Sequence, residues 1–248
     1  MTDTRLGLVL LSGGLDSTTA ATWALDKGMK VSAVSFDYGQ THRKELGAAT
    51  AVAARLGLSH SIVDVSFYRD LAAHSSLTQP QTLSMPSDRS AAEIANGIPS
   101  TYVPLRNTFF LTMAAAWLES KALAEIEING VDASSLEATL VIAANAIDYS
   151  GYPDCRPEFY TAITESLRLG SKLGTQYGVP LTIATPLIDK SKADIVRLAG
   201  NLGAPIDETW SCYAAGNTPC GHCDSCLLRA RGFAEAGVHD PALISTQK

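Results

Sequence analysis

The apolar run from Leu6 to Leu11 breaks into Ser12-Gly13-Gly14 and then Leu15-Asp16-Ser17-Thr18, and no other stretch constrains the fold as much. A run of this kind fits a strand buried on both faces. The pattern after it, Ala20, Ala21, Ala24 and Leu25, predicts a helix. Paired glycines remove β-carbons where the chain turns sharply and where a ligand approaches the backbone. Asp16, Ser17 and Thr18 then fall in the first helical turn, whose unpaired N–H groups and dipole attract an anion, commonly a phosphate. Neither G-x-x-x-x-G-K-[ST] nor G-x-G-x-x-G describes the turn. A plain strand–helix turn capped by Ser or Asp fits the same six residues.

Strand and helix patterns alternate through the rest of the chain, which predicts an α/β fold: a doubly wound, mainly parallel, Rossmann-like sheet with helices on both faces. Val31 to Phe36 reads as the second strand, Thr41 to Leu56 as a helix and His60 to Val65 as the third strand, with Gly28 and Gly57 as helix stops. From Ser66 to Pro104 the pattern dissolves into polar residues and four prolines, which predicts a lid, a binding loop or a partly disordered segment. Asn107 to Lys121 predicts an apolar helix. Glu125 to Ala138 fits either helix or strand, and the β-branched, uncharged Thr139 to Ala144 reads as a strand. Phe159 to Tyr177 and Ser191 to Leu202 predict helices on either side of a short strand, Leu181 to Thr185. Leu227 to Ala236 closes the ordered part. The expected organisation is a nucleotide-binding domain over residues 1–205 with a cysteine-bearing segment, 206–248, packed on it.

Nineteen Lys and Arg against 25 Asp and Glu give a net charge of −6, which argues against nucleic acid or anionic lipid as partner and for small-molecule substrates. The first residues lack the build of a signal peptide, and no apolar run reaches membrane-spanning length, so a cytoplasmic protein is expected. Cys212, Cys220, Cys223 and Cys226 follow the spacing C-x7-C-x2-C-x2-C. Overlapping C-x-x-C steps let four thiolates converge on one tetrahedral ion, and a closed set of four favours structural Zn²⁺. An iron–sulfur cluster and a redox dithiol pair are the competing readings. His222 reads as an exposed loop residue, and Cys155 stands apart as a plain small side chain.

The turn Ser12-Gly13-Gly14-x-Asp16-Ser17 resembles the pyrophosphate loop of the PP-loop ATPases, the adenine nucleotide alpha hydrolases, which use ATP to adenylate a substrate oxygen. Five further motifs stand in order behind it. They are Asp37-Tyr38-Gly39-Gln40 with His42 and Glu45; Tyr102-Val103-Pro104 with Arg106-Asn107; Asp148-Tyr149-Ser150-Gly151-Tyr152-Pro153-Asp154-Cys155-Arg156; Ser191-Lys192-Ala193-Asp194; and Trp210-Ser211-Cys212-Tyr213 before the remaining cysteines. From Leu8 to about Gly232 the set is similar to the 7-cyano-7-deazaguanine synthase family of queuosine biosynthesis. Two departures stand out. Leu105 replaces a glycine of the family's V-P-G-R-N, which restricts the backbone if the turn requires positive φ, and the connection Ala124 to Ala138 is longer than the family's.

The resemblance implies a homodimeric ligase whose substrates are ATP, ammonia and 7-carboxy-7-deazaguanine. It implies ATP binding by Leu11, Ser12, Gly13, Gly14, Leu15, Asp16, Ser17, Thr18, Thr19, Ala20 and Ala21, with Mg²⁺ at Asp16. Asp16, Lys192 and Arg106 take catalytic roles. Tyr102, Arg106, Asn107, Asp148, Tyr149, Tyr152, Asp154, Arg156 and Phe159 face the substrate, and the four cysteines hold Zn²⁺. His42 or Glu45 is a possible proton acceptor. The alternative is a related enzyme that stops at the amide or amidates a different carboxylate.

Overall fold

The computed structural model describes residues 4–40, 43–94, 97–147, 152–214 and 216–244. β1 (Thr4–Leu10) is buried from Leu6 to Val9 because it lies in the middle of a sheet, between β2 (Lys30–Asp37) and β4 (Leu136–Val141). With β3 (Ser59–Asp64) and β5 (Leu181–Ala184) the order is β3-β2-β1-β4-β5, and every pairing is parallel. Parallel strands need crossovers, and helices supply them on both faces. One face carries α1 (Leu15–Asp26), α2 (Lys44–Arg55), α8 (Lys192–Leu202) and α9 (Asp224–Ala236), packed on Val9, Leu11, Ala33 and Val141. The other carries α5 (Arg106–Glu127), α6 (Pro157–Gly170) and α7 (Lys172–Gln176), packed on Leu6, Leu8, Val34 and Leu140. A short α10 (Pro241–Ile244) follows α9. The architecture is the expected doubly wound one. Among the described residues no helix is long and apolar enough to cross a membrane.

Several boundaries differ from the sequence expectation, each for a local reason. β4 begins at Leu136, three residues before Thr139. Asp132 caps a short turn by accepting from the Ser134 N–H at 2.9 Å, and Leu136 then pairs with Thr4. Glu137 hides this start, because its charge is satisfied across the sheet by Arg5 at 2.7 Å. The stretch expected as one helix to Tyr177 divides at Ser171, whose hydroxyl accepts from the Gly174 N–H at 3.0 Å and starts α7. α5 continues six residues past Lys121, to Glu127, and α2 starts at Lys44.

The segment 66–104 holds two short helices, α3 (Tyr68–Leu71) and α4 (Ala91–Ile94). It is packed rather than loose where described: Ser75, Ser76, Leu77, Thr78, Thr101 and Val103 are all buried.

Candidate active site

Open parallel sheets leave a crevice beyond the carboxyl ends of their strands, at the point where strand order reverses. Here β1 runs between β2 and β4, and a cavity of about 290 Å³ opens beyond their ends. Its floor is Leu10, Leu11, Val34, Ser35, Phe36 and the stretch Ile142 to Asn145.

One end of the cavity is the glycine turn. Ser12 and Ser17 hydroxyls lie 2.9 Å apart, the Ser17 hydroxyl accepts from the Ser12 N–H at 3.2 Å, and the Gly14 N–H donates to Ser12 Oγ at 3.3 Å. Gly13 sits at φ +86°, and a β-carbon there would lie 2.2 Å from the Glu45 carbonyl oxygen and 2.5 Å from the Ala49 nitrogen. Glycine therefore lets α2 approach the turn. The Trp210 N–H donates to the Gly13 carbonyl at 2.9 Å, which ties the C-terminal segment to the same turn. Asp16, in the first turn of α1, pairs with Lys192 Nζ at 2.7 Å, and the lysine side chain is only 9% exposed. Ser191 caps α8 by accepting from the Asp194 N–H at 3.2 Å, so Lys192 starts the helix. Asn145 holds the approach to this cap by donating to the carbonyls of Leu187 (3.2 Å) and Lys190 (2.6 Å).

The opposite end is built around Arg106 and Asn107 at the start of α5, with Tyr38, Phe110, Tyr152 and Cys155. The Arg106 guanidinium lies 6.0 Å from the Tyr38 ring centre. Phe36 and Phe110 stack at 4.4 Å. Asp154 accepts from the Asn107 N–H at 3.3 Å, and its carbonyl accepts from Asn107 Nδ2 at 3.1 Å and Tyr160 Oη at 3.0 Å. Burial raises the Asp154 carboxyl above the ordinary carboxylate range, against the opposing pull of Arg106. Burial also pushes Tyr38 up to about 12 and the Cys155 thiol up to about 11. Both stay neutral at pH 7, so Cys155 is not a ready nucleophile.

Leu105, just before Arg106, adopts φ +55°, ψ 22°. The turn does require positive φ, and leucine takes the conformation a glycine would, with its side chain exposed. The Leu105 N–H donates to Tyr102 Oη at 3.2 Å.

The sulfurs of Cys212, Cys220, Cys223 and Cys226 lie within 4.8 Å of one another. Backbone N–H groups of Ala214 and Cys220 donate to Cys212 Sγ at 3.3 Å, and that of Cys223 to Cys220 Sγ at 3.4 Å. Such donors favour thiolates, and the set fits a closed metal ion site.

The sequence-derived residues separate into four groups, and Asp154 stands apart from them, buried against Asn107 and not part of the cavity wall. Leu11, Ser12, Gly14, Leu15, Asp16, Ser17, Arg106, Asn107, Tyr152 and Lys192 line the one cavity, as does Glu45. Thr18, Thr19, Ala20 and Ala21 are buried within α1 behind it, and Gly13 faces α2. Tyr102 supports the Leu105 turn, Arg156 is exposed at the position before α6 with no side-chain hydrogen bond to the helix, and Phe159 packs edge-on against Tyr160 at 5.1 Å. Asp148, Tyr149 and His42 lie outside the described residues.

Sequence reasoning did not single out Phe110, Asn145 or Arg229, which also line the cavity. Phe110 was within reach, since it sits one helical turn after Arg106 on the same face of α5. Arg229 was not. Its partners Asp240, Thr209 and Ser211, the first at 2.5 Å, meet it only in the folded chain.

A family profile described as queuosine biosynthesis protein QueC matches residues 7–237. A 7-cyano-7-deazaguanine synthase of Thermoplasma acidophilum is 44% identical over 237 residues, covering 96% of this chain and 91% of that protein. One from Thermosynechococcus vestitus is 46% identical over 243 residues, covering 97% and 96%. Among solved structures, NMN synthetase from Francisella tularensis aligns over 99% of this chain and 77% of its own, with 14% identity and a TM-score of 0.40. Matched over nearly its whole length by the profile and by these relatives, the chain belongs to the QueC family.

Proposed function

We propose that this chain converts 7-carboxy-7-deazaguanine and ammonia to 7-cyano-7-deazaguanine at the expense of ATP, for queuosine biosynthesis. The observation that carries the proposal is that the Ser12–Ser17 turn with Asp16 and Lys192, and the Arg106 end with Asn107 and Tyr152, line one continuous cavity. A carboxylate does not expel oxide. Adenylation converts that oxygen into a leaving group, with release of pyrophosphate. Ammonia then attacks the acyl carbon and displaces AMP to give the amide. A second ATP adenylates the amide oxygen, and loss of AMP and of the nitrogen's protons leaves the nitrile.

No protein nucleophile is required. The chain's task is to orient two substrates and to balance phosphate charge. Ser12, Gly14 and Ser17 offer hydroxyl and N–H donors for phosphate oxygens, and Lys192 supplies a buried cation. Arg106 is suited to a carboxylate, because its fork of donors binds two oxygens at once. Asp16 is the carboxylate that would hold Mg²⁺, which would supply positive charge to offset that of the phosphates. The four cysteines would hold Zn²⁺ as a structural ion.

A product assay by mass spectrometry, with 7-carboxy-7-deazaguanine, ammonium, Mg²⁺ and ATP, tests the proposal. Nitrile with AMP and pyrophosphate supports it. Amide alone identifies an enzyme that stops halfway, and ATP consumed only with a different carboxylate overturns the substrate.

A further inference from the structure

The segment 66–104 meets the cysteine-bearing turn at three consecutive residues. Ser87 forms an antiparallel bridge with Cys223, and the Asp88 N–H donates to the His222 carbonyl at 2.9 Å. Arg89 grips Asp224 with two donors, Nε to Oδ1 at 3.1 Å and Nη2 to Oδ2. Asp224 is only 3% exposed and is the first residue of α9. A forked pair between a buried carboxylate and a guanidinium fixes geometry as well as charge. The Arg89 side is itself ordered: Ser90 donates its N–H and hydroxyl to Glu93 at 2.7 Å, in a capping box that starts α4.

The same segment reaches the Arg106 end of the cavity. Leu77 is part of the cavity wall, and Thr101 Oγ1 lies 2.6 Å from Tyr152 Oη. Ser76 N–H to the Ser100 carbonyl, at 2.8 Å, closes the segment on itself. Tyr68 Oη donates to the Pro104 carbonyl, immediately before the Leu105 turn and Arg106. On the other side, Ser225, Leu228 and Arg229 of α9 line the cavity directly. A clamp between Arg89 and Asp224 therefore joins two walls of one site across 135 positions of sequence.

We infer that Arg89 is a positioning residue, whose grip on Asp224 docks the segment 66–104 on the cysteine-bearing turn and thereby sets the Arg106 and Tyr152 half of the cavity. A metal ion at the cysteines would hold Cys223, the neighbour of Asp224, so the same docking depends on metal loading. The segment 66–104 supplies neither α1 nor α8, which build the phosphate end, so loss of the clamp is expected to spare that end. The kinetic consequence rests on the proposed function; the docking does not.

Hydrogen exchange of the full-length, metal-loaded protein tests the docking. In Arg89→Leu, peptides covering 68–94 and 97–104 are expected to exchange about tenfold faster or more, with β1 and α8 unchanged. Metal content stays the same, and Arg89→Lys restores part of the protection. Arg168→Leu, which removes an exposed pair with Glu165, leaves these peptides as they were. In steady state, KM for the carboxylate substrate rises about tenfold in Arg89→Leu, while kcat and KM for ATP hold within about twofold. Chelation of the metal from the unsubstituted protein gives the same exchange pattern. Unchanged exchange in Arg89→Leu overturns the inference, and so does exchange that rises equally in β1 and α8. Continued protection after chelation overturns its metal-dependent part. A protein that turns over no carboxylate removes the proposed function, yet the exchange result still decides the docking.

Discussion

Gly13 and Gly14 are neighbours under opposite constraints. Gly13 combines φ +86° with no room for a β-carbon, whereas Gly14 has φ −81° and its β-carbon would meet Ser12 Oγ no closer than 3.5 Å. Gly13→Ala adds backbone strain to overpacking against α2, an expected loss of roughly 2–6 kcal/mol in urea denaturation. Gly14→Ala keeps stability within about 1 kcal/mol, but its methyl group fills space in the phosphate end of the cavity, so ATP consumption falls in a protein that still folds. An unstable Gly14→Ala, or a stable Gly13→Ala, would contradict the geometry. Asp154 carries a different kind of constraint. Its folded pKa lies above the ordinary value of about 3.9, so folding favours the protonated form. That contribution is complete below the ordinary value and is lost as pH rises through the raised one. Above that raised value the ionised, buried carboxyl destabilises the free protein. Asp154→Asn is expected to raise the melting temperature at pH 7, with the gain shrinking toward pH 3. A gain that stays constant with pH would remove ionisation as its cause.

At the scale of elements, what was legible in the sequence was local. The apolar strand before the glycine turn, the helix that begins at Lys192 and the cysteine spacing each carry their signal within a few residues, and each takes the expected form. What was not legible depends on partners far away in the chain. Glu137 looks like a poor strand residue until Arg5 stands beside it, and the proline-rich stretch 66–104 looks loose until Asp224 grips Arg89. Leu105 is the intermediate case. The sequence raised the question of positive φ, and α5 answers it, because the helix starts from a left-handed residue. An exposed leucine in that region is strained by about 1–2 kcal/mol relative to glycine, while glycine adds roughly 0.4–1 kcal/mol of unfolded-state freedom. Leu105→Gly is therefore expected to stabilise the protein by roughly 0.5–1 kcal/mol in denaturant titration and to leave the product unchanged. A destabilised variant would mean that the leucine side chain contributes packing its 65% exposure does not suggest.

Seen as one molecule, the chain places its cavity where sheet, helices and C-terminal segment all converge. Residues from β1, β2, α1, α5, α8 and α9 share its wall, so few parts of the fold are indifferent to what occupies it. The overall charge of −6 gives no general attraction for an anionic nucleotide, and the site compensates locally with Lys192 at one end and Arg106 at the other. Lys192 is held by Asp16 in the free protein, and the pair is shielded from solvent, so screening by salt is weak there. A ligand that binds across these elements must be released before the sheet and its helices separate. Mass action then gives about 2.7 kcal/mol of added stability at one hundred times the dissociation constant. For a domain of this size that corresponds to a rise in melting temperature of roughly 5–11 °C. Thermal scans with ATP and Mg²⁺, with the carboxylate substrate, and with both are expected to show two shifts that add, because the glycine turn and the Arg106 end are built from different residues. Lys192→Ala is expected to abolish the ATP shift and keep the carboxylate shift, and Arg106→Ala the reverse. If either substitution removed both shifts, the cavity would bind its two substrates as one coupled unit and the division into two ends would fall.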